Sequence, residues 1–147
     1  MMNIFSYLSH SNNMRSLNDV LKISLLLNGL GDLILGLILL LLSDMLASML
    51  GFQYSTEMQY LAGGWGIATL ALGGWRVSAS RSGNAWFVST TAIFGIFEGG
   101  LLSIFGVGMI ASGRLLLQQA WLGLVFSSFF TVAYIVSFLV LRKNGGS

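Results

Sequence analysis

From Leu21 to Leu42 the chain places twelve leucines and three isoleucines in 22 residues. A helix of that length rises about 33 Å, and the hydrocarbon core of a bilayer is about 30 Å thick. Three more runs of spanning length follow, at residues 58–77, 86–110 and 120–141. Only 8% of the 147 residues are charged, against about 25% in a soluble domain. That leaves too little polar surface to clothe a soluble globule, whereas lipid calls for such a composition. Residues 1–147 therefore read as a single all-α integral membrane domain.

The connections predict how the spans are arranged. Ser43–Glu57 mixes Met45, Leu46, Met49 and Phe52 with Asp44, Ser48 and Gln53, the pattern of a segment lying along the interface. Ser78–Ala85 is a small polar turn, and Ala111–Gln119 carries Ser112, Gly113 and Arg114. Short loops make successive helices antiparallel neighbours, which predicts an up-down-up-down four-helix bundle. Arg15, Lys22, Arg76, Arg81, Arg142 and Lys143 fall on one side and Arg114 alone on the other. That bias places both termini in the cytoplasm. Trp75 and Trp86 then mark the cytoplasmic interface and Tyr54, Tyr60 and Trp121 the outer one, with Trp65 and Tyr134 left as packing residues. Residues 1–20 lack the early basic region of a signal peptide. Residues 1–9 read either as an interfacial anchor or as an ordinary terminus.

Two acids interrupt the apolar runs, Asp32 in the first span and Glu98 in the third. Both spans run in the same direction, so both carboxyls sit near the bilayer midplane. An acid at a helix centre costs about 2.5–3.5 kcal/mol on insertion scales, and each leucine or isoleucine returns about 0.3–0.6 kcal/mol. Insertion of the first span is thus secure, but an acid at that depth is a candidate for function. Arg76 and Arg114 read as span-end residues, which leaves no cation of this chain at the acids' depth. Four states remain open: protonated acids, a pair sharing one proton, hydrogen bonds to Asn28, Thr69, Thr91 or Ser103, or a cation from another chain, a ligand or an ion.

Small residues surround both acids. Gly29, Asp32 and Gly36 share a helix face, as do Gly95, Glu98 and Gly99, and Gly66 and Gly73 belong to a small stripe in the second span. Such faces let helices approach closely in lipid, either within this bundle or against another chain or a flat cofactor. Gly29-x-x-Asp32 and Gly95-x-x-Glu98 echo one another, a weak trace of a parallel repeat.

The rest of the composition narrows the chemistry. There is no cysteine or proline, and one histidine, His10, lies outside every apolar run. A haem or metal centre built on this chain alone is not expected, and no cofactor is evident. No nucleotide-binding, zinc-protease or nucleophile-elbow motif is present. The scattered basic residues form no patch for nucleic acid. In outline (length, short loops, the glycine-rich GGWRVSASR stretch and a basic C-terminus) the chain resembles the small four-helix membrane proteins of bacteria and archaea, the DoxX-like proteins among them. That resemblance implies the cytoplasmic membrane of such a cell and carries no residue role.

Two functional expectations follow. The first is a non-catalytic accessory subunit of a larger membrane complex, in contact with lipid and with other subunits or its own copies. The second is a small proton- or cation-coupled transporter or channel, acting as an oligomer through Asp32 and Glu98. A membrane enzyme acting on lipid or quinone is the weakest of the three readings, since no nucleophile or metal accompanies the acids.

Overall fold

A computed structural model describes the backbone of residues 4–145 and the side chains of residues 19–139. All regular structure in these residues is helical: α1 Ile4–Leu41, α2 Ser43–Met49, α3 Thr56–Arg81, α4 Ala85–Ala111 and α5 Leu117–Gly145. The side chains of residues 1–9 and of Arg142 and Lys143 lie outside the described residues.

Local chemistry sets the helix ends. The Ser55 hydroxyl accepts from the Met58 amide and starts α3. It also hydrogen-bonds to the carboxylate of Glu57, which holds that exposed carboxyl below its ordinary pKa. Asn84 Oδ1 accepts from the amides of Trp86 and Phe87 and starts α4. At the far end of α4, Gly113 takes a left-handed conformation (φ 68°), a common way to stop a helix. Gly51, at φ 75°, turns the chain after α2. The segment expected to lie flat between the first two spans thus contains a short helix followed by a glycine turn. Gln119 donates to the Gly51 carbonyl at 3.3 Å, so the α2–α3 and α4–α5 connections meet at one end of the molecule. The α3–α4 turn lies at the other.

Three helices are long and apolar enough to cross a membrane: Asp19–Leu41 of α1, Ala85–Ala111 of α4 and Leu117–Leu139 of α5. Between 11% and 28% of their most apolar windows is buried within the chain. Large apolar side chains instead face outward, Ile104, Phe94 and Leu139 among them. An exposed apolar surface of that extent suits lipid and is rare on soluble monomers. α3 covers the expected second span. It has the length, but its glycines and the charged and polar residues Glu57, Gln59 and Arg76 make it less apolar.

Glycine sets how closely the helices approach. A Cβ on Gly29 would lie 2.9 Å from the Gly73 carbonyl oxygen, and one on Gly36 would lie 2.9 Å from that of Gly66, so α1 and α3 touch backbone to backbone. Gly95 lies under the Tyr134 ring, and Gly99 lies against the Ser127 carbonyl, which brings α4 onto α5. α1 also packs on α5, where Gly31 receives the Phe126 ring.

The core lies toward the α3–α4 turn. Leu21, Leu25, Ala79, Val88, Ala92, Phe130 and Tyr134 pack together there. Near the same turn α3 meets α4 through an edge-to-face pair of Trp75 and Phe87 and a 3.0 Å hydrogen bond from Trp75 Nε1 to Thr91. Farther from the turn the space between α3 and α4 widens into a cleft.

Overpacking a close helix contact costs about 1–3 kcal/mol. Gly73→Ala is expected to lower the melting temperature of the detergent-solubilised protein. Gly63→Ala, where an added methyl meets nothing within 4 Å, is expected to leave it unchanged or raise it slightly. A thermal shift assay on the pair checks the contrast.

Candidate functional site

The two intramembrane acids and one arginine form a single cluster. Arg76 donates from Nη1 to Asp32 Oδ2 and from Nη2 to Glu98 Oε2. The guanidinium of α3 thereby joins a carboxylate of α1 to a carboxylate of α4. This corrects the reading of Arg76 as a span-end residue and of the acids as lacking a cation in their own chain. α3 continues to Arg81, which puts Arg76 more than a turn inside the helix.

Helix geometry explains how the three side chains meet. Gly29 stands against Gly73 and Gly36 against Gly66. That antiparallel register sets Asp32 level with Leu70, so the Arg76 backbone lies six residues, or about 9 Å, nearer the α3–α4 turn. Side chains on a helix lean toward its N-terminus. On α3 that direction leads away from the turn, and on α1 and α4 it leads toward it. Arg76 therefore leans toward the two acids while both acids lean toward Arg76, and the long arginine closes the gap.

The groups expected to satisfy the acids have other partners. Asn28 donates to the Tyr134 hydroxyl at 2.8 Å. Thr69 donates to the Trp65 carbonyl, and Thr91 accepts from Trp75. Ser103 bonds to the Gly99 carbonyl and to the hydroxyls of Ser127 and Ser128. Tyr134 is fully buried, in keeping with a packing role, whereas Trp65 is largely exposed and lines the cleft. Among the described residues no buried side-chain nitrogen or oxygen lacks a partner.

The cluster is not evenly buried. The side chains of Arg76 and Asp32 are 6% and 8% exposed, and that of Glu98 is 36% exposed. The difference arises because the cluster forms the floor of the cleft between α3 and α4, which has a volume of about 810 Å³. Its walls are apolar, with Leu35 and Leu39 from α1, Leu61 and Trp65 from α3, Leu102 from α4 and Phe126 from α5. Asn28, Thr69, Gln119 and Ser127 add the remaining polar groups. The glycines near the acids serve this geometry: Gly29 and Gly73 bring α1 to α3, and Gly95 and Gly99 seat α4 on α5.

Chemically, the site can hold a proton or a positive charge. Two carboxylates face one guanidinium, so the fully ionised cluster carries a net charge of −1. Among the described residues no other basic side chain pairs with either acid. No group of three or more His, Cys, Asp or Glu side chains there could hold a metal ion. No family model, curated protein or solved structure matches this chain.

Removing one partner of a buried ion pair costs about 3–5 kcal/mol, whereas removing all the charges together is far milder. Arg76→Gln is expected to destabilise the protein strongly, and the triple variant Asp32→Asn/Arg76→Gln/Glu98→Gln is expected to melt well above it. Arg76→Lys should fall between, since one ammonium cannot reach two carboxylates as a planar fork does. Melting curves followed by size-exclusion chromatography check this order.

Proposed function

We propose that this chain is a four-span membrane protein with both termini in the cytoplasm, and that it couples protons to cations at the Arg76–Asp32–Glu98 cluster. The observation that carries this reading is the sharing of one guanidinium by two carboxylates on the floor of an apolar cleft.

The topology has three supports. α3 is 26 residues long, about 39 Å, and packs along a spanning helix through Gly66 and Gly73. The charge that lowers its hydropathy is neutralised inside the bundle. With Arg76 assigned to the interior, Arg15, Lys22, Arg81, Arg142 and Lys143 remain on the cytoplasmic side against Arg114 outside, so the orientation bias survives.

The coupling follows from the charge count. An unbalanced negative charge at membrane depth is costly, and a proton on Glu98 or a cation beside it removes the cost. Competition between the two for one carboxylate is the elementary step of proton–cation exchange. Transport also needs access from both sides, which an oligomer can provide. A Cβ added at Gly63 or Gly64 on α3, or at Gly100 or Gly108 on α4, meets nothing within 4 Å among the described residues, which leaves room for a second copy.

An accessory role in a larger complex keeps its three supports, the small mass outside the lipid, the absence of an evident catalytic or cofactor-ligating group and the small-residue faces. The need of an intramembrane acid for a cation from another chain is not among them, since Arg76 meets it internally.

Because the chain has no cysteine, single cysteines report topology directly. Ser82→Cys is expected to be shielded from an impermeant maleimide added to whole cells, and Ser112→Cys to be labelled. Labelling of Ser82→Cys, or shielding of Ser112→Cys, overturns the four-span arrangement with cytoplasmic termini. In proteoliposomes carrying a cation gradient, the wild type is expected to move protons and Glu98→Gln to move none at unchanged expression. Equal proton movement by the two overturns the coupling.

A further inference from the structure

We infer that the cleft takes a monovalent organic cation with an apolar body, bound in exchange for a proton on Glu98. The inference rests on the proton–cation reading above and names the class of substrate.

The walls and the floor of the cleft select different halves of one molecule. A volume of about 810 Å³ lies within the roughly 300–1,000 Å³ range that accommodates a drug-sized ligand. Leucines and the aromatic rings of Trp65, Phe126 and Phe130 make the walls, and these offer nothing to a hydrophilic solute. An anion meets the excess carboxylate. A small inorganic cation would have to shed its water and finds too few oxygens to replace it. A neutral apolar molecule gains from the walls but leaves the floor unbalanced. An apolar-bodied cation satisfies both, because its body is buried against the leucines and its charge cancels that of Glu98. Aromatic faces add a cation–π contribution where the charge passes Trp65.

Glu98 is the member of the cluster placed to make the exchange. Arg76 faces it from α3, Asp32 from α1 and Tyr134 from α5, and no other titratable side chain of α4 lies nearby. Asp32 is enclosed against Arg76, whereas Glu98 keeps a third of its side chain open to the cleft. In the exchange the Glu98 carboxyl loses its proton to water, the carboxylate takes the organic cation as its counter-ion, and the charge of the cluster is conserved.

The test uses the full chain in lipid nanodiscs with tetraphenylphosphonium as the probe, tetraphenylborate as the same shape with opposite charge, and empty nanodiscs to correct for partition. We expect saturable binding of one phosphonium per chain, release of up to one proton, and about tenfold tighter binding per pH unit while Glu98 is protonated. Glu98→Gln is expected to weaken binding at least tenfold and flatten its pH dependence, and Glu98→Asp to retain both. Ala62→Trp, which fills the cleft without touching a charge, is expected to abolish binding and keep the wild-type melting temperature. Equal binding of the phosphonium and the borate overturns the inference, as does binding unchanged in Glu98→Gln or in Ala62→Trp. If the phosphonium does not bind while Glu98-dependent proton movement persists, the substrate class is wrong and the coupling stands. If neither survives, both readings fall.

Discussion

One guanidinium divided between two carboxylates is the contact on which the rest of this molecule depends. Arg76 ties three helices together, with its own guanidinium and the Asp32 carboxylate almost wholly enclosed. Its position imposes conditions on the packing. α1 must come close enough for a short Asp32 side chain to reach, and the backbone contacts at Gly29–Gly73 and Gly36–Gly66 provide that approach. α4 must be held at the matching height, and its seat on α5 through Gly95 and Gly99 does so. The glycines are therefore part of the electrostatics. A wider α1–α3 spacing would leave a buried ion short of its partner, which is the costliest failure open to such a bundle.

The cluster also divides the bundle in two. Toward the α3–α4 turn, Leu21, Leu25, Val88, Phe130 and Tyr134 close the core, and the Asn28–Tyr134 hydrogen bond ties α1 to α5. Away from that turn the helices part around the cleft. A charged group is tolerated at such a boundary, where it can complete its coordination on one side and stay open on the other. Asp32 and Arg76 lie on the closed side and Glu98 lies at the edge, as their exposures record.

Much of this was legible in the chain. The 22-residue apolar run from Leu21, the short loops and the glycines spaced beside Asp32 and Glu98 point to helices that approach closely in lipid. The two acids stand out because little else in those spans is charged. Arg76 does not stand out, and the reason is geometric. By backbone position Arg76 lies about 9 Å from the level of Asp32. Side chains of antiparallel helices lean in opposite directions, so an arginine one to two turns away on a descending helix is better placed to meet an acid on an ascending one than a residue at the same height. The signal in the chain is thus a basic residue displaced in that direction from the acids. The cleft was illegible for a different reason: where packed helices close on one another depends on the volumes of all of them together, and no single run of sequence records it.

Under the proposed coupling, the stoichiometry of the cluster has a chemical reason. If Arg76 served only to bind helices, one carboxylate would neutralise it, and Asp32, the more enclosed of the two, already does so. A second carboxylate adds a cost at membrane depth that its share of the same guanidinium only partly offsets. Helix association alone would favour an amide at position 98, which could accept the same hydrogen bond without bringing a charge. Glu98 instead brings a charge to the most exposed position in the cluster, on the floor of the cleft. What distinguishes a carboxyl from an amide there is that it can give up a proton and take another positive charge in its place.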